Sequence, residues 1–260
     1  MLWEEFLYKR ATIQELSLQH HRSVNWIRKE LRAVKLRQQS TEPCSSVIVA
    51  DCVFFKRSFG MLVLRDPHLR KNLYCQKRQT VTIAEYFKAR RTVEDGGVRI
   101  LAVVIDGRPG ERELFRDVPV QMCHFHQKAI INRYLTRRPK LDAGKELRNI
   151  VMKRCQTTES AFSDALSQWY DRWQNFLKER TINPESRHWH YTHKKLRAAH
   201  RSLKTNLPSL FTYQKHPKLN IPNTTNSLDG FFAHLKDLLR VHRGLKKDLK
   251  DKIIADFLQN

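Results

Sequence analysis

The stretch SVIVADCVFF, residues 46–55, is β-branched and apolar but for a single acid, Asp51. Short runs of this composition read as buried strands. By alternation Asp51 shares a face with Val47, Val49, Val53 and Phe55. An unpaired carboxylate on such a face is costly, or is driven to protonate. RILAVVI, residues 99–105, is the next long apolar run, and Asp106-Gly107 ends it. That places Asp106 at a strand's carboxyl end, where α/β sheets keep their sites. If the two strands are neighbours, about 4.8 Å apart, the carboxylates converge. Hard oxygen anions that close call for a hard cation, Mg²⁺ or Mn²⁺. On these residues alone two plainer readings stay open: a turn-forming Asp-Gly at 106–107, and a hydrogen-bonded core acid at Asp51.

Outward from these runs, residues 59–64 continue the strand pattern across a short Lys56-Arg57-Ser58 connection, which suits a hairpin. Residues 72–76 and 118–122 are further short strand candidates, and 80–92 reads as a helix broken by Asp95-Gly96-Gly97. From Gln127 to about Ser209 the signals are almost all helical, with Trp169, Trp173 and Trp189 among them. Residues 215–223 form a Pro-containing loop. Asn226 to Arg240 is an amphipathic helix with Leu228, Phe231, Leu235 and Leu238 on one side. Asp229 lies in its first turn, where the macrodipole also favours an acid. The basic tail to Asn260 is again helical.

The first 36 residues have helix-turn-helix form. Thr12 caps one helix with Glu15 three residues on, and a short His20-His21-Arg22 turn follows. Ser23 then caps a second helix that carries Asn25, Arg28, Lys29 and Arg32 on its polar side, as a major-groove reader would. An ordinary helical hairpin with a solvated basic face fits the same residues. Residues 37–45 are polar and read as a linker.

Composition narrows the class. The chain has 260 residues, 40% of them hydrophobic, with 49 Lys and Arg against 26 Asp and Glu, a net charge of +23. That supports a core and points to a polyanionic partner, most often nucleic acid. No run approaches the length of a membrane span. The start, MLWEEFLYKR, lacks a signal peptide's basic-then-apolar order, so the expected compartment is the cytoplasm. Five scattered cysteines fit reduced thiols. Without a CxxC pair, a structural zinc site is not expected.

The phrases VIDGRPG, CHFHQKAIINRYLTRRPKLDAGKEL, NLPSLFTY and IPNTTNSLDGFFAHLKDLLRVHRGL together resemble bacterial insertion-sequence transposases of the Mutator-like DDE group. The resemblance runs over most of the chain. It implies an α/β, RNase H-like mixed sheet with a helical insertion, preceded by an all-α helix-turn-helix segment. The expected organisation is 1–36 helix-turn-helix, 37–45 linker, 46–126 first part of the catalytic core, 127–222 helical insertion, and 223–260 helices completing the core. By position Asp51, Asp106 and Asp229 match the family's three catalytic, metal-holding acids, and Cys123 and His126 match its C/D-x-x-H motif beside them. The implied cofactors are two Mg²⁺ or Mn²⁺ ions. The implied partners are double-stranded DNA, as transposon ends and as target, and a second copy of the chain on DNA; no membrane is expected, and the protein would sit on the bacterial nucleoid. Trp189, Lys236, Arg240 and Arg243 join the helix-turn-helix residues as expected DNA contacts. The family usually has Glu where Asp229 stands, so a non-catalytic, transposase-derived DNA-binding protein is the alternative; a structure-selective nuclease is a third reading. Relatives often carry a zinc-binding module before the helix-turn-helix, which leads us to expect a shortened copy.

Overall fold

A computed structural model describes residues 2–36, 44–55 and 59–259. Three short helices lead: α1 (Leu2–Leu7), α2 (Ile13–Gln19) and α3 (Val24–Ala33). The caps expected from sequence are in place. Thr12 and Glu15 form a reciprocal capping box on α2, and the Ser23 side chain accepts from Trp26 N–H at the start of α3.

Five strands follow with two helices among them: β1 (Cys44–Phe55), β2 (Phe59–Asp66), β3 (Lys71–Arg78), α4 (Ile83–Asp95), β4 (Val98–Ile105), α5 (Glu111–Leu114) and β5 (Val120–Met122). They make one mixed sheet in the order β3-β2-β1-β4-β5. β1 runs antiparallel to β2 and parallel to β4, so β1 is central. The linker expected over 37–45 is shorter at its end: Cys44 and Ser45 already belong to β1, paired with Val98 and Arg99. The rest of that linker, 37–43, and the 56–58 connection lie outside the described residues.

The register of β1 on β4 slips by one residue, from Ser46↔Ile100 to Val47↔Ala102. Leu101 is the extra residue, a bulge that reverses which face the later β4 side chains take. Beyond it Val103 and Ile105 join the layer under α4, with Ile48, Ala50, Leu62, Leu64, Tyr86 and Ala89. Ala102 and Val104 join Val47 and Val49 on the other face.

A helical block comes next: α6 (His124–Leu135), α7 (Asp142–Met152), α8 (Glu159–Lys178), α9 (Lys194–Leu210) and α10 (Thr212–Lys215). It has its own core around Phe162, Trp169, Leu203 and Phe211. α6 begins at His124, so the block starts earlier than the expected 127. It is not purely helical either. β6 (Arg180–Ile182) and β7 (Trp189–Tyr191) pair antiparallel as a small second sheet between α8 and α9. Three residues per strand give no readable period, which is why the sequence reads as helix and loop there.

Two helices close the chain, α11 (Asn226–Val241) and α12 (Lys247–Gln259). Leu228, Phe232 and Leu235 of α11 and Ile254 of α12 cover the second face of the sheet. The same two helices also hold the N-terminal segment. Leu238, Leu249 and Ile253 share one core with Trp3, Phe6, Leu7, Leu16, Ile27 and Leu31. Lys252 Nζ donates to the Leu31 and Arg32 carbonyls at the end of α3, and the His242 ring packs on Phe6. The helices of residues 1–36 are therefore not a detached module. No helix among the described residues is long and apolar enough to cross a membrane.

Candidate active site

The last β1–β4 pair is Val49↔Val104, and two more residues along each strand come Asp51 and Asp106. The bulge at Leu101 gives Asp106 the parity of Ala102 and Val104, the face on which Val47 and Val49 precede Asp51. Without it the same alternation would turn Asp106 toward α4. Gly107 follows with φ +84°, and a Cβ there would stand 2.5 Å from the Met122 sulfur. Only glycine fits that turn, so the Asp-Gly pair both ends the strand and aims the acid.

Asp51 is 4% exposed. Its Oδ1 accepts the Cys52 N–H at 2.7 Å, and Oδ2 lies 4.0 Å from His126 Nε2. Burial is the main influence on its acidity and pushes it up; His126 pulls the other way, while Asp106 and then Asp229 add to the rise, leaving Asp51 at about 6. Asp106 and Asp229 thus both act on Asp51, which lies just past the last β1–β4 pair. Asp106 Oδ1 accepts the Arg108 N–H at 2.8 Å. Asp229 is exposed in the first turn of α11, whose neighbouring Leu228 is fully buried against the sheet.

Cys123 binds this region together. Its N–H donates to the Ile105 carbonyl, one residue before Asp106. Its sulfur accepts the Thr225 N–H at 3.3 Å and lies 3.5 Å from the Thr225 hydroxyl. Thr225 is the N-cap of α11, and it is this residue's own N–H that the Cys123 sulfur accepts. The adjacent His124 N–H donates to the Asn223 carbonyl. One residue so links the segment bearing Asp106 to the segment bearing Asp229. Burial opposes ionisation of Cys123, but contacts to His126 and Thr225 lower its thiol overall. Burial also opposes the charge on His126, yet the Cys123 sulfur and the Asp51 and Asp106 charges lift the imidazole to about 9. His126 Nδ1 is buried without a hydrogen-bond partner among the described residues.

Glu111, at the start of α5, is a carboxylate that the sequence reading passes over. It is fully buried, and its Oε2 shares the Arg108 N–H with Asp106 at 3.1 Å. Burial first, then the Asp106 charge, push it up to about 9. Its only sequence signal is an acid soon after an Asp-Gly turn, which is too common to single out.

Two Mg²⁺ or Mn²⁺ ions are implied by the resemblance. The donors fit in kind: hard carboxylate oxygens whose mutual repulsion a divalent cation relieves. Among the described residues, however, no group of three His, Cys, Asp or Glu side chains stands so as to hold an ion. The donors therefore fit in chemical kind, while the three side chains are not gathered around one point.

The remaining expected contacts lie elsewhere. Asn25, Arg28 and Lys29 are exposed on α3, with Arg28 Nη1 3.4 Å from Asn25 Oδ1. Arg32 is not free: its Nε binds Asp248 Oδ2 of α12 at 2.6 Å. Lys236 is exposed on α11, Arg240 pairs with Asp237 at 3.0 Å, and Arg243 is exposed just beyond the helix. Trp189 stands on β7, 53% exposed, with the Arg180 guanidinium 4.0 Å from its ring centroid.

No protein-family model matches the chain. No curated protein matches it. Among solved structures it is similar to a chain of the simian T-cell lymphotropic virus intasome in complex with the PP2A regulatory subunit B56 gamma. Identity is 11%, the match covers 78% of this chain and 68% of that one, and the TM-score is 0.25. A similarity that low carries no argument about fold or chemistry.

Proposed function

We propose that this chain is a DNA transposase with an RNase H-like core, which nicks DNA at transposon ends and joins the freed ends to target DNA. One observation carries the reading: Asp51 and Asp106 extend paired parallel strands on a single face, and α11, bearing Asp229, packs on that face. The net charge of +23 suits the polyanionic substrate.

In the first step a water oxygen attacks the scissile phosphorus, and the bond from phosphorus to the 3′ oxygen breaks. This leaves a 3′-OH and a 5′-phosphate. In the second step the 3′-OH attacks a target phosphodiester, forming one P–O bond and releasing one target 3′-OH. Divalent ions, when bound, lower the barrier by activating the attacking oxygen and stabilising the leaving one. Asp51 and Asp106 would hold them, with Asp229 reaching from α11. Cys123 keeps the Asp106 and Asp229 segments at a fixed spacing. α2 and α3 would read the terminal repeats through Asn25, Arg28 and Lys29. Arg32 would first have to leave Asp248.

The second reading, a DNA-binding derivative without chemistry, is favoured by Asp229, which is short, exposed and outside any assembled ligand group. The test incubates the purified chain with duplexes carrying its own flanking inverted repeats, in Mg²⁺ or Mn²⁺. Denaturing gels should show cleavage that leaves 3′-OH ends, followed by joined products. Repeat-specific binding without cleavage in either metal establishes the second reading, and loss of both ends the proposal.

A further inference from the structure

The helical block carries a cationic face that the acid cluster does not use. Lys194, Arg197, Arg201 and Lys204 recur on α9 at spacings of three and four residues, so they form one stripe. The stripe is about 15 Å long at 1.5 Å rise per residue, or about four nucleotides of one DNA strand. At its start the β6–β7 ribbon adds exposed Arg180 and Arg187. Guanidinium groups and rings alternate there: Arg180 lies over Trp189, and Arg197 lies 3.6 Å from the Tyr191 centroid. Ser163, Ser167 and Tyr170 of α8 line the cleft opposite Arg197, Arg201 and Lys204.

Arg180, Lys194, Arg201 and Lys204 have no ion-pair partner among the described residues, which is equally true of Lys88 and Arg91 on α4; what sets this face apart is the run of four cations on one helical stripe beside a cleft lined by rings and alcohols. In the cleft, His200 stacks on Tyr170 with centroids 4.9 Å apart, and the nearby Lys204 and Arg197 charges add to burial in disfavouring its protonation. Basic side chains thus outnumber acidic ones on this face. Asp171 is the acid on the cleft lining, and Glu179 beside the ribbon is engaged by His193 at 2.9 Å.

We propose that the α9 stripe and the β6–β7 ribbon form a second, sequence-independent binding surface for the phosphate backbone of duplex DNA, separate from α2–α3. Unpaired cations spaced along a helix engage successive phosphates and release counterions, and the alcohols of α8 add neutral donors to phosphate oxygens. The surface does not rest on the transposase reading, because it needs only charge and shape.

The experiment measures binding of the full chain to a random-sequence DNA duplex across a salt series. Arg201→Ala with Lys204→Ala should weaken binding about tenfold and lower the slope of log K against log salt by about 2, near 0.9 for each phosphate that is no longer neutralised. A control pair of equal charge on α4, Lys88→Ala with Arg91→Ala, should leave the slope as in the wild type. The exchanged pair Arg201→Lys with Lys204→Arg should retain it, which separates the effect of charge from that of misfolding. An unchanged slope in the alanine pair, or an equal drop in the α4 control, overturns the proposal. So does tighter binding to duplex RNA or to anionic lipid vesicles than to DNA. Cleavage of repeat ends is a separate readout, so its failure leaves this result standing.

Discussion

Two aspartates are buried in the paired strands β1 and β2, Asp51 within β1 and Asp66 at the end of β2, and their surroundings could hardly differ more. Asp66, at the end of β2, accepts from the Ser46 hydroxyl at 2.6 Å and from the His68 and Leu69 N–H groups at 2.8 Å. Asp51, in β1, accepts one N–H, has an imidazole at 4.0 Å, and faces two further acids. Both are almost fully buried, 3% and 4% exposed. Burial of an acid is therefore not the mark of a site. Unfilled acceptor capacity and convergent like charge are, because folding tolerates them only at a cost in stability. Asp66 closes a turn, whereas the second Asp51 oxygen has only His126 Nε2 near it, at 4.0 Å.

The sharpest way to break this comparison is activity. Asp51→Ala should cut cleavage of repeat-bearing DNA by on the order of 10³-fold or more, with binding to the same DNA unchanged. Asp66→Ala should leave the cleavage rate per folded molecule near that of the wild type. Rates normalised to folded protein check both. If Asp66→Ala removes cleavage while Asp51→Ala retains it, the two acids have been assigned the wrong way round.

Stability should rank the two acids in reverse. Asp66→Ala strands a buried hydroxyl and two turn N–H groups, and should destabilise the fold by about 3–5 kcal/mol. Urea unfolding at neutral pH reads this directly. A loss no larger than that of an exposed Asp→Ala change would show that the Asp66 hydrogen bonds contribute nothing and that burial alone distinguishes neither acid.

Part of this contrast is legible in the sequence, and the limit is physical. Asp51 stands out because it interrupts an alternating apolar strand, and the capping residues Thr12, Glu15 and Ser23 declare their helices locally. Asp66 does not stand out, since an acid before Pro67 at a strand end looks like any turn. The face of Asp106 is hidden as well. Val98–Ile105 is apolar almost throughout, so no alternation survives to show the bulge at Leu101 that turns Asp106 toward Asp51. Arg32 looks available on α3 because its partner Asp248 lies 216 residues away. The packing of the N-terminal helices on α11 and α12 is equally non-local. Asp229 is a candidate third acid by its place in the first turn of α11, where the macrodipole alone also favours an acid, and it is the family resemblance that singles it out.

The smallest effect is also the most diagnostic, because it has the sign opposite to an ordinary core mutation. Asp51 is raised from an ordinary 3.8 to about 6, chiefly by burial. The folded chain therefore holds that proton more tightly than the unfolded chain does. Its stability is fully present below about pH 4, falls as pH rises through the window to about 6, and stays lower above it. Asp51→Asn removes the charge at nearly constant volume and should make the protein more stable at pH 7, by on the order of 1–3 kcal/mol. The advantage should shrink to nothing near pH 4, where the wild-type carboxyl is itself protonated. Urea midpoints for both proteins at pH 7 and pH 4 test this. Asp66→Asn, measured alongside, should be destabilising at pH 7, because an amide cannot accept all three of the donors that the carboxylate accepts. A less stable Asp51→Asn at pH 7 would mean that the carboxylate is as well satisfied as that of Asp66. The strain assigned to the acid cluster would then be absent, and with it the reason to place a cation there.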